Sequence, residues 1–216
     1  MNSIKGAIFD CDGTLFDSMQ QWVWVEEYYA RSIGLVPREG FLEAVRVFSS
    51  LEVAEYLRDE YGTPKSIEEI ITGRNKIMED FYFNKVTLKN GVVSFLETLR
   101  ANGIRMCVAT ATGKYLVEGA LRRCGIREYF ERVFTCGEEN TSKSSPEIFI
   151  RAAAFLGTEI SETLVVEDAL HAIRSAKSAG FQVAAVYDLS EEDNQGEVKS
   201  LSDYYCINMD ELLFAN

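Results

Sequence analysis

Residues 7–18 read AIFDCDGTLFDS, an apolar run that ends in two carboxylates, Asp10 and Asp12, and then a Gly-Thr turn. Two acids at the end of a strand bound for the interior burden the fold, because like charges held close in a low dielectric repel. They suit chemistry instead. One carboxylate can attack phosphorus and form an aspartyl-phosphate. The other can give a proton to the leaving oxygen and take one back from water. Further along, Thr110 closes the apolar run MCVA, Lys143 precedes a helix signal at Pro146, and Glu167 and Asp168 close LVV. A hydroxyl and an ammonium can hold the remaining phosphate oxygens. Asp10, Asp12 and Asp168 in one cleft, with Glu167 beside them, are tolerable at neutral pH only around a cation. Hard oxygen ligands with room for water suit Mg2+. Singly, each residue reads more often as a turn former, a satisfied hydroxyl or a solvated charge; the combination points to a site.

The elements that carry them must bring distant residues together. IKGAIFD (4–10) reads as a short buried strand. From residue 86 onward strands and helices alternate: GVVSFLETLRANG, then IRMCVAT, KYLVEGALRRCG, RVFTC, SPEIFIRAAAFLG, TLVVED, ALHAIRSAKSAG and FQVAAVYD, with DYYCI as a last strand and MDELLF as a terminal helix. This alternation predicts an α/β fold, a doubly wound parallel sheet with helices on both faces. Asp10, Thr110, Glu167 and Asp168 then fall at carboxyl ends of strands, with Lys143 in a loop on that side, where ligands bind in open α/β sheets.

Residues 18–85 interrupt the pattern. QQWVWVEEYYARSIG places Trp22, Val25, Tyr29 and Ile33 on one helical face. LEVAEYLRDEYG stops at Gly62, and Ser66 and Glu69 stand in capping-box spacing. The segment predicts a small all-helical lobe inserted between the first two strands, giving a core of residues 1–17 and 86–216. The acidic stretch DLSEEDNQGE (188–197) reads as a solvated loop.

Composition bounds the partners. The 216 residues are 47% hydrophobic and 26% charged, with a net charge of −12. That balance argues against nucleic acid, whose binding rests on surplus Lys and Arg. No apolar run reaches the ~20 residues of a membrane span, and the first fifteen residues lack the basic start and longer apolar core of a secretory signal. The expectation is a cytoplasmic protein, a monomer or weak homodimer, acting on a small phosphorylated metabolite. The five cysteines include no C-x-x-C pair and read as free thiols; with a single histidine, His171, they argue against a zinc site. Like charge on both sides opposes a thiolate at Cys11. His171 reads as a helix-surface or packing residue.

The motifs together resemble the haloacid dehalogenase superfamily, phosphatase branch: DCDGT for its D-x-D-G-T, Thr110 in VATAT, Lys143 in TSKSSPEIF, and Glu167-Asp168 in VVEDA, in family order. The helical insertion resembles the cap of phosphoglycolate phosphatase-like and β-phosphoglucomutase-like members. The resemblance implies Asp10 as nucleophile and metal ligand. It implies Asp12 as general acid/base, with its backbone carbonyl also on the metal. Thr110, the Ala111 amide and Lys143 would hold phosphate. Asp168 would bind Mg2+ directly, with Glu167 at or just outside its coordination sphere. Gly13 and Thr14 would make the hinge turn. The second acid favours phosphate chemistry over carbon–halogen cleavage.

The resemblance implies a Mg2+-dependent phosphatase acting on a small phosphate monoester, sugar phosphates among the candidates. The alternatives are a β-phosphoglucomutase-like phosphomutase and a phospho-accepting signalling receiver. Two departures bear on them. Ser144 follows Lys143 where the family often has proline. The cap stretch MQQWVW lacks the mutase histidine, and VFSSLE offers Ser49 and Ser50 with only Arg46 nearby. A receiver needs neither Asp12 as acid nor a helical lobe. Trp22, Trp24, Tyr28 and Arg46 are candidates for facing the cleft; aromatic stripes at helical spacing otherwise pack inside their own lobe.

Overall fold

β1 (Gly6–Phe9) is four consecutive buried residues, the mark of a strand covered on both faces. In the computed structural model, which describes residues 4–45 and 48–214, this strand is followed by helices. They are α1 (Met19–Ser32), α2 (Phe41–Val45), α3 (Ser50–Tyr61) and α4 (Ile67–Asp80), and α4 runs into a π-helical turn, Phe81–Lys85. The alternating part comprises α5 (Val92–Ala101), β2 (Arg105–Thr110), α6 (Lys114–Arg123), β3 (Val133–Thr135), α7 (Cys136–Glu139) and α8 (Glu147–Leu156). It continues through β4 (Thr163–Glu167), α9 (Leu170–Ser178), β5 (Gln182–Val186), α10 (Gln195–Leu201) and β6 (Tyr204–Cys206). Met209–Phe214 forms the terminal helix, of the 3-10 kind.

The six strands form one parallel sheet in the order β3-β2-β1-β4-β5-β6. Side chains alternate across it. Ala7, Phe9, Val108 and Val166 pack on one face with Phe95 and Leu96 of α5 and Leu116 and Leu121 of α6. Ile8, Cys107, Ala109 and Val165 pack on the other with Phe149 of α8 and Ile173 of α9. From β1 the chain first builds outward through β2 and β3, then returns to place β4 on the other side of β1. The sheet's switch point therefore lies between β1 and β4, where a crevice opens at the carboxyl edge.

The helical segment has its own apolar centre, with Tyr29, Phe41, Val53, Leu57 and Ile70. α4 starts with the expected capping box of Ser66 and Glu69, and α3 with a second one, Ser49 and Glu52. Gly62 ends α3 in the left-handed conformation, φ +65°, which glycine adopts without a Cβ clash. The 188–197 stretch is helical and not a loop, although Leu189, Glu192, Asp193 and Glu197 are exposed as expected. It forms a 3-10 turn, Leu189–Asn194, leading into α10, with Asp188 and Glu191 buried. The cause is a burial the composition hides: Lys89 Nζ donates to Asp188 at 2.8 Å and also to the carbonyls of Gly13 and Tyr187, tying this turn to the one after β1. Among the described residues, no helix is long and apolar enough to cross a membrane.

Candidate active site

Asp10 follows β1 directly, and its amide donates to the Val166 carbonyl at 3.0 Å. Phe9 pairs with Val166, so the register sets Asp10 beside Glu167, the last residue of β4, with Asp168 just beyond. Carboxylate oxygens of Asp10, Glu167 and Asp168 all lie within 4.8 Å of one another, and all three residues are buried. Lys143, from the turn before α8, reaches in to pair with Asp10 and with Glu167, the latter at 2.5 Å. Glu167 also accepts from the amides of Asp168 and Ala169, both at 3.0 Å, at the start of α9. The Thr14 hydroxyl holds Asp168 at 2.8 Å. Gly13 sits at φ +83°, and a Cβ there would overlap the Asp168 carboxylate. This residue makes the turn and leaves room for the acid.

Burial pushes Asp10 up to about 8, against the pull of Lys143 and with the repulsion of Glu167 and Asp12 added. Burial likewise carries Asp168 well above the usual carboxylate range, helped by Glu167, Asp10 and Asp188. Burial alone would lower Lys143, but Asp10 and Glu167 hold it firmly protonated. Burial, then Asp10 and Asp12, raises the Cys11 thiol, which leaves it unreactive. One ammonium among three crowded carboxylates does not balance them. Three hard oxygen donors converging on one point are the donor set of a divalent cation such as Mg2+.

Asp12 faces different partners. Its Oδ1 accepts from the Ser18 hydroxyl at 2.6 Å and from the Tyr82 hydroxyl, and its Oδ2 from Thr112 Oγ1 at 2.7 Å. Its side chain is thus held by hydroxyls and is not one of the three converging acids. Thr110 ends β2 fully buried, its hydroxyl accepting from the Thr112 amide at 3.1 Å.

A cavity of about 320 Å³ opens over this edge, a volume at the small end of ligand pockets. Its floor holds Asp10, Asp12, Thr110, Ala111, Lys143, Glu167 and Asp168. These are all the residues singled out in the sequence for catalysis, phosphate or metal. The opposite wall comes from the helical segment: Met19, Trp22 and Val23 of α1, Leu42 and Val45 of α2, and Phe48 in the connection before α3. Ser49, Ser50, His171 and Ser190 also line it. Trp22 therefore faces the cleft. Trp24 and Tyr28 neither face it nor pack inside; they stack on each other at 4.6 Å, about half exposed. They lie on the outer side of α1, away from the Val25–Tyr29 face. Arg46 lies outside the described residues.

Sequence reasoning did not find Ser18, Tyr82, Thr112, Glu26 or Arg74. Ser18 occupies the N-cap position of α1, but its hydroxyl goes to Asp12 and makes no cap bond. Arg74 pairs through Nε and Nη2 with both carboxylate oxygens of Glu26, buried in the cavity wall. A lone Glu and a lone Arg forty-eight residues apart carry no local signal.

The model for haloacid dehalogenase-like hydrolases matches residues 7–186. The chain belongs to this family. Among relatives of this haloacid dehalogenase-like hydrolase, protein CbbY of Cereibacter sphaeroides is 27% identical over 190 residues, 83% of this chain and 82% of that one. The N-acetylmuramic acid 6-phosphate phosphatase of Pseudomonas aeruginosa is 26% identical over 187 residues, 85% of this chain and 81% of that one. The crystal structure of CbbY from Rhodobacter sphaeroides in complex with phosphate has the same fold. Its TM-score is 0.81 at 22% identity, over 97% of this chain and 96% of that one.

Proposed function

We propose that this hydrolase is a cytoplasmic, Mg2+-dependent phosphatase that removes phosphate from a small phosphate monoester through an aspartyl-phosphate on Asp10. We assign residues 1–17 and 86–216 to the catalytic core and 18–85 to the cap that covers it. The observation that carries the reading is the convergence of Asp10, Glu167 and Asp168 with Lys143 at the switch point, with Asp12 held separately by hydroxyls. The relatives named above include a sugar-phosphate phosphatase, which supports the same substrate class.

Asp10, Glu167 and Asp168, with the Asp12 carbonyl, would hold Mg2+, which when bound offsets charge between the carboxylates and the incoming phosphate. An Asp10 carboxylate oxygen attacks phosphorus, and the bond to the ester oxygen breaks. Asp12 gives that oxygen its proton, so the organic group leaves as an alcohol. Asp12, now a carboxylate, takes a proton from water as its oxygen attacks phosphorus, and Asp10 is released with inorganic phosphate. Thr110, the Ala111 amide and Lys143 hold the non-bridging oxygens. Purified protein should release phosphate from p-nitrophenyl phosphate with Mg2+, and EDTA or Asp10→Asn should stop it. Full activity in Asp10→Asn would sink the assignment.

A further inference from the structure

Tyr82 lies in the return connection from the helical segment to the core, fully buried, and seventy residues from the acid it touches. Its ring packs edge-on against Phe16 at 6.4 Å and Trp22 at 6.2 Å. Its hydroxyl has three polar neighbours, Thr112 among them. The Trp22 indole N–H donates to it at 2.8 Å, and it touches Asp12 Oδ1. An indole nitrogen can only donate. Thr112 spends its proton on Asp12 Oδ2 and a carboxylate oxygen can only accept, so the Tyr82 oxygen accepts from Trp22 and its own proton points at Asp12 Oδ1.

The three hydroxyls around Asp12 are shared unequally. Among the described residues, Oδ1 takes two donors, Ser18 and Tyr82, while Oδ2 takes Thr112 alone. A carboxylate oxygen has about two lone pairs, so Oδ1 is saturated and Oδ2 keeps one free. The proton exchanged with substrate must then sit on Oδ2.

We propose that Tyr82, oriented by the Trp22 N–H, is a positioning residue that saturates Asp12 Oδ1 and so directs the transferable proton to Oδ2. Tyr82 acts by donating this hydrogen bond to Asp12. Trp22 also lines the cavity, so contact between the organic group and this indole bears directly on the residue that protonates the leaving oxygen. The inference rests on Asp12 as the acid of the proposed reaction.

The test uses two probes of similar shape, phenyl phosphate and p-nitrophenyl phosphate, whose leaving groups differ in their need for a proton. In Tyr82→Phe, kcat/KM for phenyl phosphate should fall about tenfold, the worth of one strong hydrogen bond. For p-nitrophenyl phosphate, whose leaving group departs as a stable anion, it should fall less than about threefold. Trp22→Phe keeps an aromatic ring and removes the N–H, and should give the same selectivity with a smaller loss. Equal losses with both probes, or none with either, would overturn the proposal. Should Tyr82→Phe fail to fold, the Trp22→Phe arm decides alone by the same criterion. Turnover that survives Asp10→Asn in the otherwise native chain would instead sink the phosphatase reading itself, and the proposal with it.

Discussion

On the sheet side of the cavity, Asp10, Lys143, Glu167 and Asp168 meet from separate segments, buried and joined by ion pairs and backbone amides. On the helical side, Trp22, Val23, Leu42, Val45 and Phe48 present an apolar surface, with charge confined to the Glu26 and Arg74 pair and Glu43. The sheet side is strained electrostatically and fixed by register, since each strand end is pinned by its neighbours' hydrogen bonds. The helical side is relaxed and rests on helix faces, which shift and vary more readily. Groups that handle a phosphoryl transfer need sub-ångström placement. Groups that recognise an organic body need shape and apolar area. Under the proposed function, each demand falls to the kind of element that meets it.

The comparison breaks most visibly at Asp10. Asp10→Asn should lower kcat by more than about 10⁴-fold, as for loss of a nucleophile, while circular dichroism shows the fold retained. On the helical side the largest effect should be on stability. Arg74→Met leaves Glu26 buried and unpaired and should cost about 3–5 kcal/mol in urea unfolding. The double variant Arg74→Met with Glu26→Leu should recover most of that loss, because the pair itself contributes little net. Phe48→Ala probes recognition: KM for p-nitrophenyl phosphate should rise about tenfold with kcat nearly constant, the signature of lost uniform binding. A fall in kcat instead would mean that this wall also positions the reacting groups.

The smallest effect concerns pH. Asp10 sits at about 8 in the metal-free fold, above its ordinary 3.8, and Asp168 is raised in the same sense. A carboxyl raised by folding stabilises the native state fully below the ordinary value, and that contribution is lost as pH climbs through the raised one. Metal-free protein should therefore lose stability between pH 4 and 8 from these groups, in the window set by the values above. A cation answers the charge that appears. At fixed Mg2+ the gain in melting temperature should grow from about pH 6 to about pH 8. At about ten times Kd it should amount to about 1.4 kcal/mol, or about 3–6 °C. A gain that shrinks over that range would contradict the placement of the ion among these acids.

Much of this was legible in the residues. Strand–helix alternation after residue 86 gave the parallel sheet, and each acid at the close of an apolar run marked a strand's carboxyl end. The helical segment was equally plain from its periodicity and from Ser66 and Glu69. What escaped has a common cause. Trp22 and Trp24 are two residues apart on one helix, and periodicity separates their faces but does not say which face meets the sheet. The acidic look of 188–197 suggested solvent, yet Lys89 draws Asp188 inward from nearly one hundred residues away.

The sequence by itself determined that Asp10, Asp12, Thr110, Lys143, Glu167 and Asp168 share one edge, because strand ends and side-chain type are local properties written in short runs. Only the tertiary structure decided how Asp12 is held. Ser18, Tyr82 and Thr112 come from a helix start, a return connection and the loop after β2. Hydrogen bonds between such distant residues leave no periodic trace, since they depend on where the elements pack and not on how each one forms.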